Sequence, residues 1–160
     1  MSEQTRRIIF VCHGNICRSP MAERTAEKWA ADAGLTNITF TSAGVSAEEE
    51  GNPIDPRARA QLTASGYRTT NHKAHKITAA EIEAAELVIA MEATHVSRMR
   101  RIAPHAHNFV LLTDFDPAHL GEDIADPWYG DESWYVRTQR SIESAMPGLI
   151  DHLRATVPTA

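Results

Sequence analysis

The sequence predicts an α/β domain of three layers, in which a four-stranded parallel sheet is flanked by helices. Four short apolar segments alternate with segments of helical periodicity. Three of the four are almost continuously hydrophobic, which is typical of parallel strands buried on both faces. Because the 160 residues contain no repeat or linker, we expect a single domain over residues 1–160 with right-handed crossovers.

The predicted strands are the four apolar segments. They are Arg7–Cys12, Asn37–Ser42, Glu86–Met91 and Asn108–Leu112. In a sheet of this kind, ligands bind beyond the carboxyl ends of the strands. Since Cys12 ends the first strand, we predict that it lies at the ligand-binding edge.

Proline and capping residues mark the predicted helices. One helix opens at Pro56 and ends at Gly66, a favourable C-terminal residue. The segment Thr78–Glu81 is typical of a capping box before a short helix. We predict that the last helix begins near Ser133, and that Pro147 with the glycine after it kinks or interrupts this helix.

Composition and charge exclude several classes of protein. The formal net charge of −5 argues against a broad nucleic-acid-binding surface. No apolar stretch approaches the roughly 20 residues that a membrane span requires, and the N-terminal MSEQTRR is not followed by the apolar region of a signal peptide. Two cysteines five residues apart cannot stabilise a fold through disulfide bonds, so a disulfide-rich protein is not expected. We therefore expect a cytoplasmic protein that binds neither nucleic acid nor membrane.

The segment VCHGNICRSPMAE places both cysteines in a short loop between a strand and a helix that begins near Ser19. Gly14 permits unusual backbone angles, and Asn15 is the non-glycine residue best able to adopt a left-handed conformation. Backbone N–H groups that converge at a helix N-terminus bind oxyanions such as phosphate. They also favour the charged form of a thiol, which makes Cys12 a candidate nucleophile.

Arg18 and Ser19 complete the predicted anion site. Arg18 carries a permanently charged fork that holds two phosphate oxygens, and Ser19 is placed to donate a hydrogen bond to the Cys12 sulfur. A buried structural cysteine and a metal-binding pair are alternative interpretations. A P-loop NTPase would require Gly-Lys-Ser/Thr where Cys17-Arg18-Ser19 stands. The strand–loop–helix context favours a catalytic thiolate.

Motifs along nearly the whole chain resemble those of the low-molecular-weight protein tyrosine phosphatases. Besides VCHGNICRSPMAE, they are TSAG at Thr41–Gly44, DPRA at Asp55–Ala58, HKA at His72–Ala74 and DPWYG at Asp126–Gly130. Members of that family fold as a four-stranded parallel sheet flanked by helices. The resemblance implies hydrolysis of aryl phosphate monoesters in phosphotyrosine-containing proteins, without metal or cofactor, and inhibition by inorganic phosphate or vanadate.

The resemblance also implies a role for each residue of the site. Cys12 forms a phosphocysteine, Arg18 binds phosphate, and Asp126 is the general acid that then activates water. The phosphate-binding loop comprises His13, Gly14, Asn15, Ile16, Cys17 and Arg18. The residues that support this loop through hydrogen bonds are Asn15, Ser19, Ser42 and His72. Cys17 is the partner for a reversible disulfide with Cys12 under oxidation, with a buried packing role as the alternative.

The slot for the phosphotyrosine ring departs from the family pattern on one side. Trp128 and Tyr129 match one wall, whereas Glu48 stands about where the family carries an aromatic residue. The lost stacking and the repulsion of a phosphate dianion each cost about 1 kcal/mol. We therefore expect phosphatase activity to survive and tyrosine selectivity to be weaker. Glu49 and Glu50 are expected to be solvated.

Two other functions stay open from the sequence. Arsenate mimics phosphate, so a thiol-dependent arsenate reductase on the same scaffold is one of them. Because the chain has no cysteine beyond Cys17, such an enzyme would have to pass arsenic to a small thiol. The other is a phosphotyrosine-binding module with weak turnover, against which the joint presence of Cys12, Arg18 and Asp126 argues.

Overall fold

The computed structural model describes residues 5–156, so the first and last four residues of the predicted domain lie outside the described part. Four strands pair in parallel in the order β2-β1-β3-β4. Their bounds are β1 Arg6–Cys12, β2 Ile38–Gly44, β3 Leu87–Ala90 and β4 Phe109–Leu111. The predicted fold class is confirmed, and the predicted strand ends differ from these bounds by one or two residues.

The alternation of side chains along β1 explains its continuous hydrophobicity. Ile8 and Phe10 pack into an apolar cluster with residues of α1, α2 and α5, for which the bounds are Arg18–Asp32, Pro56–Ala64 and Glu132–Ala155. Ile9 and Val11 point to the other face and pack into a second cluster with residues of α3 (Ala79–Ala84) and α4 (Ala93–Ile102). Both faces of the sheet are therefore covered by helices.

The predicted helix signals mostly correspond to real helix ends. The Thr78 side chain accepts from the Glu81 backbone N–H at 3.2 Å, and the Glu81 carboxylate accepts from the Thr78 N–H at 3.1 Å, so the capping box is confirmed. Gly66 follows α2 with a φ of 84°, the left-handed angle of a helix-terminating glycine. A 3₁₀ helix, Leu112–Phe115, follows β4.

The predicted interruption of the last helix is wrong, since α5 runs unbroken through Pro147. Proline costs about 3 kcal/mol inside a helix. Met146 and Leu149, on either side of it, are completely buried, and each buried apolar side chain contributes about 1.5–3 kcal/mol. Gly148 lets the helix approach the 3₁₀ segment, because a Cβ there would lie 1.9 Å from the Phe115 carbonyl oxygen.

The ends of β1, β2 and β3 lie next to one another at the carboxyl edge of the sheet. The Cys12 carbonyl accepts from the Val45 N–H at 3.0 Å, and the Val11 carbonyl accepts from the Met91 N–H at the same distance. Glu92 follows Met91 and directly precedes α4. Within residues 5–156, the helices are all too short or too polar to cross a bilayer.

Candidate active site

A cavity of about 200 Å³ opens at this carboxyl edge, above the loop that joins β1 to α1. The three residues predicted to be catalytic line this cavity, and so do the residues predicted to form the slot. Its lining comprises Cys12, His13, Gly14, Ile16, Cys17, Arg18, Glu48, Glu49, Asp126, Trp128 and Tyr129.

A chain of hydrogen bonds leads to the Cys12 sulfur. The Asn15 Oδ1 accepts from the His75 backbone N–H at 3.1 Å, which turns the Asn15 amide nitrogen towards Ser19. That nitrogen donates to Ser19 Oγ at 2.9 Å. Ser19 Oγ lies 3.0 Å from Cys12 Sγ, within hydrogen-bond distance, and a thiolate at this position would accept from the Ser19 hydroxyl. The chain thus connects the backbone of His75 to the sulfur at the end of β1.

The backbone of the loop is held by one residue in a left-handed conformation. Asn15 has a φ of 63°, whereas the φ of Gly14 lies outside the left-handed region, so Gly14 is not the residue with the unusual angle. Gly14 instead provides space, because a Cβ there would lie 3.2 Å from Cγ of Glu49. His72 Nε2 lies 2.7 Å from the Asn15 carbonyl oxygen. Burial lowers the pKa of His72, so its neutral ring donates to this carbonyl.

Ser42 belongs to a different contact from the one predicted. It pairs with Phe10 across β1 and β2, and its hydroxyl donates to Glu23 Oε1 of α1 at 2.8 Å. Ser42 therefore ties the sheet to α1 rather than contacting the loop itself.

Arg18 is almost completely buried and held by two acceptors. Its Nη1 lies 2.6 Å from Glu92 Oε2 and donates to the Ile124 carbonyl at 2.6 Å. Nη2 lies 3.6 Å from Asp126 Oδ2. Sequence reasoning missed Glu92, although an acidic residue just after a predicted strand is a recognisable signal at this edge of a sheet. The fixed guanidinium supplies the charge that a phosphate requires.

Asp126 presents one carboxylate oxygen to the cavity. Its Oδ1 accepts from the Trp128 N–H at 3.1 Å, which orients the side chain within its own turn. Its Oδ2 faces Arg18, and the side chain is 44% exposed, so water and substrate reach it. These contacts suit a group that exchanges protons at the mouth of the site.

The predicted slot has an aromatic wall and an acidic wall. Trp128 is 39% exposed and Tyr129 is 96% exposed. Glu48 lines the same cavity, and its Oε2 lies 3.3 Å from His13 Nε2. Glu49, which was expected only to be solvated, is half-buried and also lines the cavity, and its Oε2 accepts from Asn52 Nδ2 at 2.7 Å.

Glu50 is exposed, as expected, and its Oε2 accepts from the Lys76 backbone N–H at 3.0 Å.

Cys17 is buried, although it also contributes to the lining of the cavity. Its sulfur is 3.6 Å from the Tyr135 hydroxyl of α5, and both cysteines are free thiols. Burial raises the pKa of Cys17 to about 12, so this cysteine is a neutral thiol at physiological pH. Within residues 5–156, no cluster of three or more His, Cys, Asp or Glu side chains is arranged to hold a metal ion.

Comparisons with known proteins identify the family to which the chain belongs. The sequence model of the family described as low molecular weight phosphotyrosine protein phosphatase matches residues 7–159. A low molecular weight protein-tyrosine-phosphatase of Streptomyces coelicolor is 38% identical over 159 residues, which cover 96% of each chain.

Solved structures are similar over almost the whole chain. Vibrio vulnificus Wzb in complex with benzylphosphonate has a TM-score of 0.83 and 30% identity, and the match covers 92% of this chain and 99% of Wzb. The Bacillus subtilis protein YwlE, described as an arginine phosphatase, has a TM-score of 0.84 and 29% identity, with 94% and 97% covered. The chain thus belongs to the low-molecular-weight phosphotyrosine protein phosphatases and is a phosphatase of the protein-tyrosine class.

Proposed function

We propose that the protein hydrolyses phosphotyrosine through a phosphocysteine formed on Cys12. The observation that carries this proposal is the hydrogen bond between Ser19 Oγ and the Cys12 sulfur, in a cavity that Arg18 and Asp126 also line. The thiolate attacks phosphorus and the bond to the phenolic oxygen breaks. Asp126 donates its proton to that leaving oxygen.

The second half of the reaction reverses the role of Asp126. Its carboxylate takes a proton from a water molecule, the water oxygen attacks phosphorus, and the sulfur–phosphorus bond breaks. Inorganic phosphate leaves, and the thiolate and the protonated Asp126 are regenerated. Arg18 and the backbone N–H groups of residues 13–18 bind the phosphoryl oxygens in both steps. Asn15, Ser19 and His72 hold the loop in this arrangement.

Phosphotyrosine-containing proteins are the proposed substrates. Family membership supports this, as do Trp128 and Tyr129 on one side of the cavity. Benzylphosphonate, which joins an aromatic ring to a phosphate-like group, is bound by the similar Wzb. Inorganic phosphate and vanadate are the expected inhibitors, because each offers the loop a similar oxyanion.

Hydrolysis of an aryl phosphate in the presence of a metal chelator tests the proposal. We expect wild-type activity that vanadate inhibits, and a loss of turnover in both Cys12→Ser and Asp126→Ala. Asp151→Ala, an exposed aspartate on α5, is the matched control and keeps full activity. Turnover that persists in Cys12→Ser contradicts the mechanism.

The same preparation distinguishes the alternative substrates. Because YwlE is described as an arginine phosphatase, peptides carrying phosphotyrosine and phosphoarginine are compared at equal concentration. Preferred hydrolysis of phosphotyrosine supports the proposal, whereas preferred hydrolysis of phosphoarginine contradicts its substrate. Thiol-dependent reduction of arsenate with little phosphatase activity favours the reductase, and tight phosphotyrosine binding with little turnover favours a binding module.

We also propose that Cys17 protects the nucleophile from irreversible oxidation. Peroxide oxidises the Cys12 thiolate to a sulfenic acid, and the Cys17 thiol attacks that sulfur to give a disulfide and water. A thiol reductant then restores both thiols. Wild-type activity lost to mild peroxide should therefore return on reduction, while the loss in Cys17→Ser should be permanent. Equal recovery of the two proteins would contradict a protective Cys17.

A further inference from the structure

The segment Asp55–Arg57, at the start of α2, lies between the two loops that carry the proposed chemistry. It belongs to the DPRA motif, and the proposed function assigns it no role. Asp55 caps α2, because its Oδ1 accepts from the Arg57 N–H at 2.8 Å, and Pro56 occupies the first turn. The segment is thus a rigid helix start rather than a loose connection.

One side of this segment is bonded to the phosphate-binding loop. The Asp55 N–H donates to the Ile16 carbonyl at 2.8 Å, between Asn15 and Cys17. The buried Asp55 carboxylate then fixes the arginine two residues on. Its Oδ1 accepts from Arg57 Nε at 3.2 Å, and its Oδ2 accepts from Arg57 Nη2 at 3.1 Å. This two-point pairing sets the plane of the guanidinium.

The other side of the segment is bonded to the loop that carries Asp126. Arg57 Nη1 donates to the Trp128 carbonyl at 3.0 Å and to the Gly130 carbonyl at 3.3 Å. The guanidinium carbon also lies 5.2 Å from the centre of the Trp128 ring. One side chain therefore holds the acid loop at two carbonyls and one aromatic face.

Tyr135 of α5 gives the same guanidinium a second link to the phosphate-binding loop. The Arg57 guanidinium carbon lies 4.9 Å from the centre of the Tyr135 ring. The Tyr135 hydroxyl lies 3.6 Å from Cys17 Sγ. Arg57 is thus connected to that loop both through Asp55 and through Tyr135.

We propose that Arg57 is a positioning residue that fixes the acid loop, residues 126–130, relative to the phosphate-binding loop. Arg57 acts through Asp126 and touches neither the phosphate nor the leaving group. The proposal rests on the proposed role of Asp126 as general acid. Removing the guanidinium frees the loop from its two carbonyl contacts, so the carboxyl group no longer meets the leaving oxygen at a fixed distance.

Leaving-group dependence reports this positioning directly. A poor leaving group such as phenolate requires its proton as the bond to phosphorus breaks, whereas a dinitrophenolate leaves without one. Breaking of the bond between phosphorus and the leaving oxygen is one of the steps that determine kcat/KM, so this constant is the one to compare. The ratio of kcat/KM for the two substrates is unaffected by loss of folded enzyme, because both substrates are measured on the same preparation.

The experiment compares Arg57→Met with wild type on phenyl phosphate and 2,4-dinitrophenyl phosphate. Methionine keeps an unbranched apolar side chain but removes the five N–H donors. We expect kcat/KM for phenyl phosphate to fall about 10-fold to 100-fold, which is the range for a misplaced catalytic group, with little change for the dinitrophenyl ester. The inhibition constant of vanadate should stay close to wild type.

Arg68→Met is the matched control. Arg68 also pairs at two points with a carboxylate, that of Glu27, and also donates to a backbone carbonyl, that of Thr70 at 3.1 Å. It lies outside the cavity. We expect its substrate ratio to equal that of wild type.

Asp126→Ala and the double variant Arg57→Met/Asp126→Ala complete the design. If Arg57 acts through Asp126, the double variant has the substrate ratio of Asp126→Ala alone. A normal ratio in Arg57→Met, or independent effects that multiply in the double variant, would overturn the inference. A normal ratio in Asp126→Ala would instead overturn the proposed acid, so the two failures are distinguishable.

Discussion

His95 should make the fold sensitive to acid, because it is buried in a position that disfavours its charged form. It lies on α4, is 3% exposed, and its Nε2 is 3.5 Å from Glu92 Oε2. Its Nδ1 has no hydrogen-bond partner among residues 5–156. Burial, followed by electrostatic repulsion from Arg18 and smaller contributions from His13 and Arg98, lowers the pKa of His95 to about 3.

The size of the effect follows from the difference between the folded and unfolded states. In the unfolded chain, a histidine has a pKa of about 6.5. As the pH falls below that value, the unfolded state binds a proton that the folded state does not, so acid favours unfolding. Between about pH 7.5 and about pH 5.5, this single group lowers the free energy of unfolding by about 1.4 kcal/mol.

Urea unfolding of His95→Gln at these two pH values measures the contribution. Glutamine does not titrate and keeps an amide nitrogen near the position of the imidazole Nε2, so the Glu92 contact is retained. We expect the variant to lose about 1.4 kcal/mol less stability on acidification than wild type. The lowered pKa of His72 acts in the same direction in both proteins and cancels in the comparison.

His107→Gln, at an exposed histidine, is the control and should lose as much stability as wild type. A His95→Gln variant with the same pH dependence as wild type would refute the reasoning, because it would mean that folded His95 takes up its proton as readily as an unfolded one.

Three further predictions follow from contacts around the cavity. Glu92→Gln removes the carboxylate that holds Arg18 Nη1, so the inhibition constant of vanadate should rise about tenfold. Glu48→Gln removes a charge that faces the phosphate dianion, so kcat/KM for an aryl phosphate should rise several-fold at low salt and less at high salt. Gly44→Ala places a Cβ 2.7 Å from the His13 carbonyl oxygen, so urea unfolding should show a loss of about 1–3 kcal/mol.

Each of these three predictions would be contradicted by a specific result. Unchanged vanadate inhibition in the Glu92 variant would mean that this carboxylate does not orient Arg18. A salt-independent change in the Glu48 variant would exclude a charge effect. Wild-type stability of Gly44→Ala would show that the loop moves away from β2 without cost.

The sequence predicted the parts of the site that are contiguous in the chain. Cys12, Asn15 and Ser19 lie within eight residues of one another, so a strand end, a left-handed residue and a helix start were enough to bring them together. The parallel sheet was predictable for a similar reason, since strands buried on both faces carry continuous apolar runs. The prediction that Asp126 belongs to the site relied on the resemblance to a family, because no local sequence pattern places Asp126 near Cys12.

What the sequence did not predict are contacts between distant segments. Glu92 meets Arg18 only because β3 and β1 are neighbours in the sheet, and Arg57 meets the Trp128 carbonyl across 71 residues. The interruption predicted at Pro147 was wrong because the local preference of proline was outweighed by burial of α5 against the core. Gly14 was misjudged because the loop requires space there rather than a left-handed angle.

The most direct test of the central claim is to stop the reaction with acid during turnover of an aryl phosphate and to locate the phosphoryl group by peptide mass spectrometry. We expect one phosphoryl group on the peptide that contains Cys12, and more of it in Asp126→Ala with an activated ester, because hydrolysis of the intermediate is slowed. A protein that turns over while this peptide stays unmodified, or that carries the phosphoryl group on another residue, would contradict this expectation.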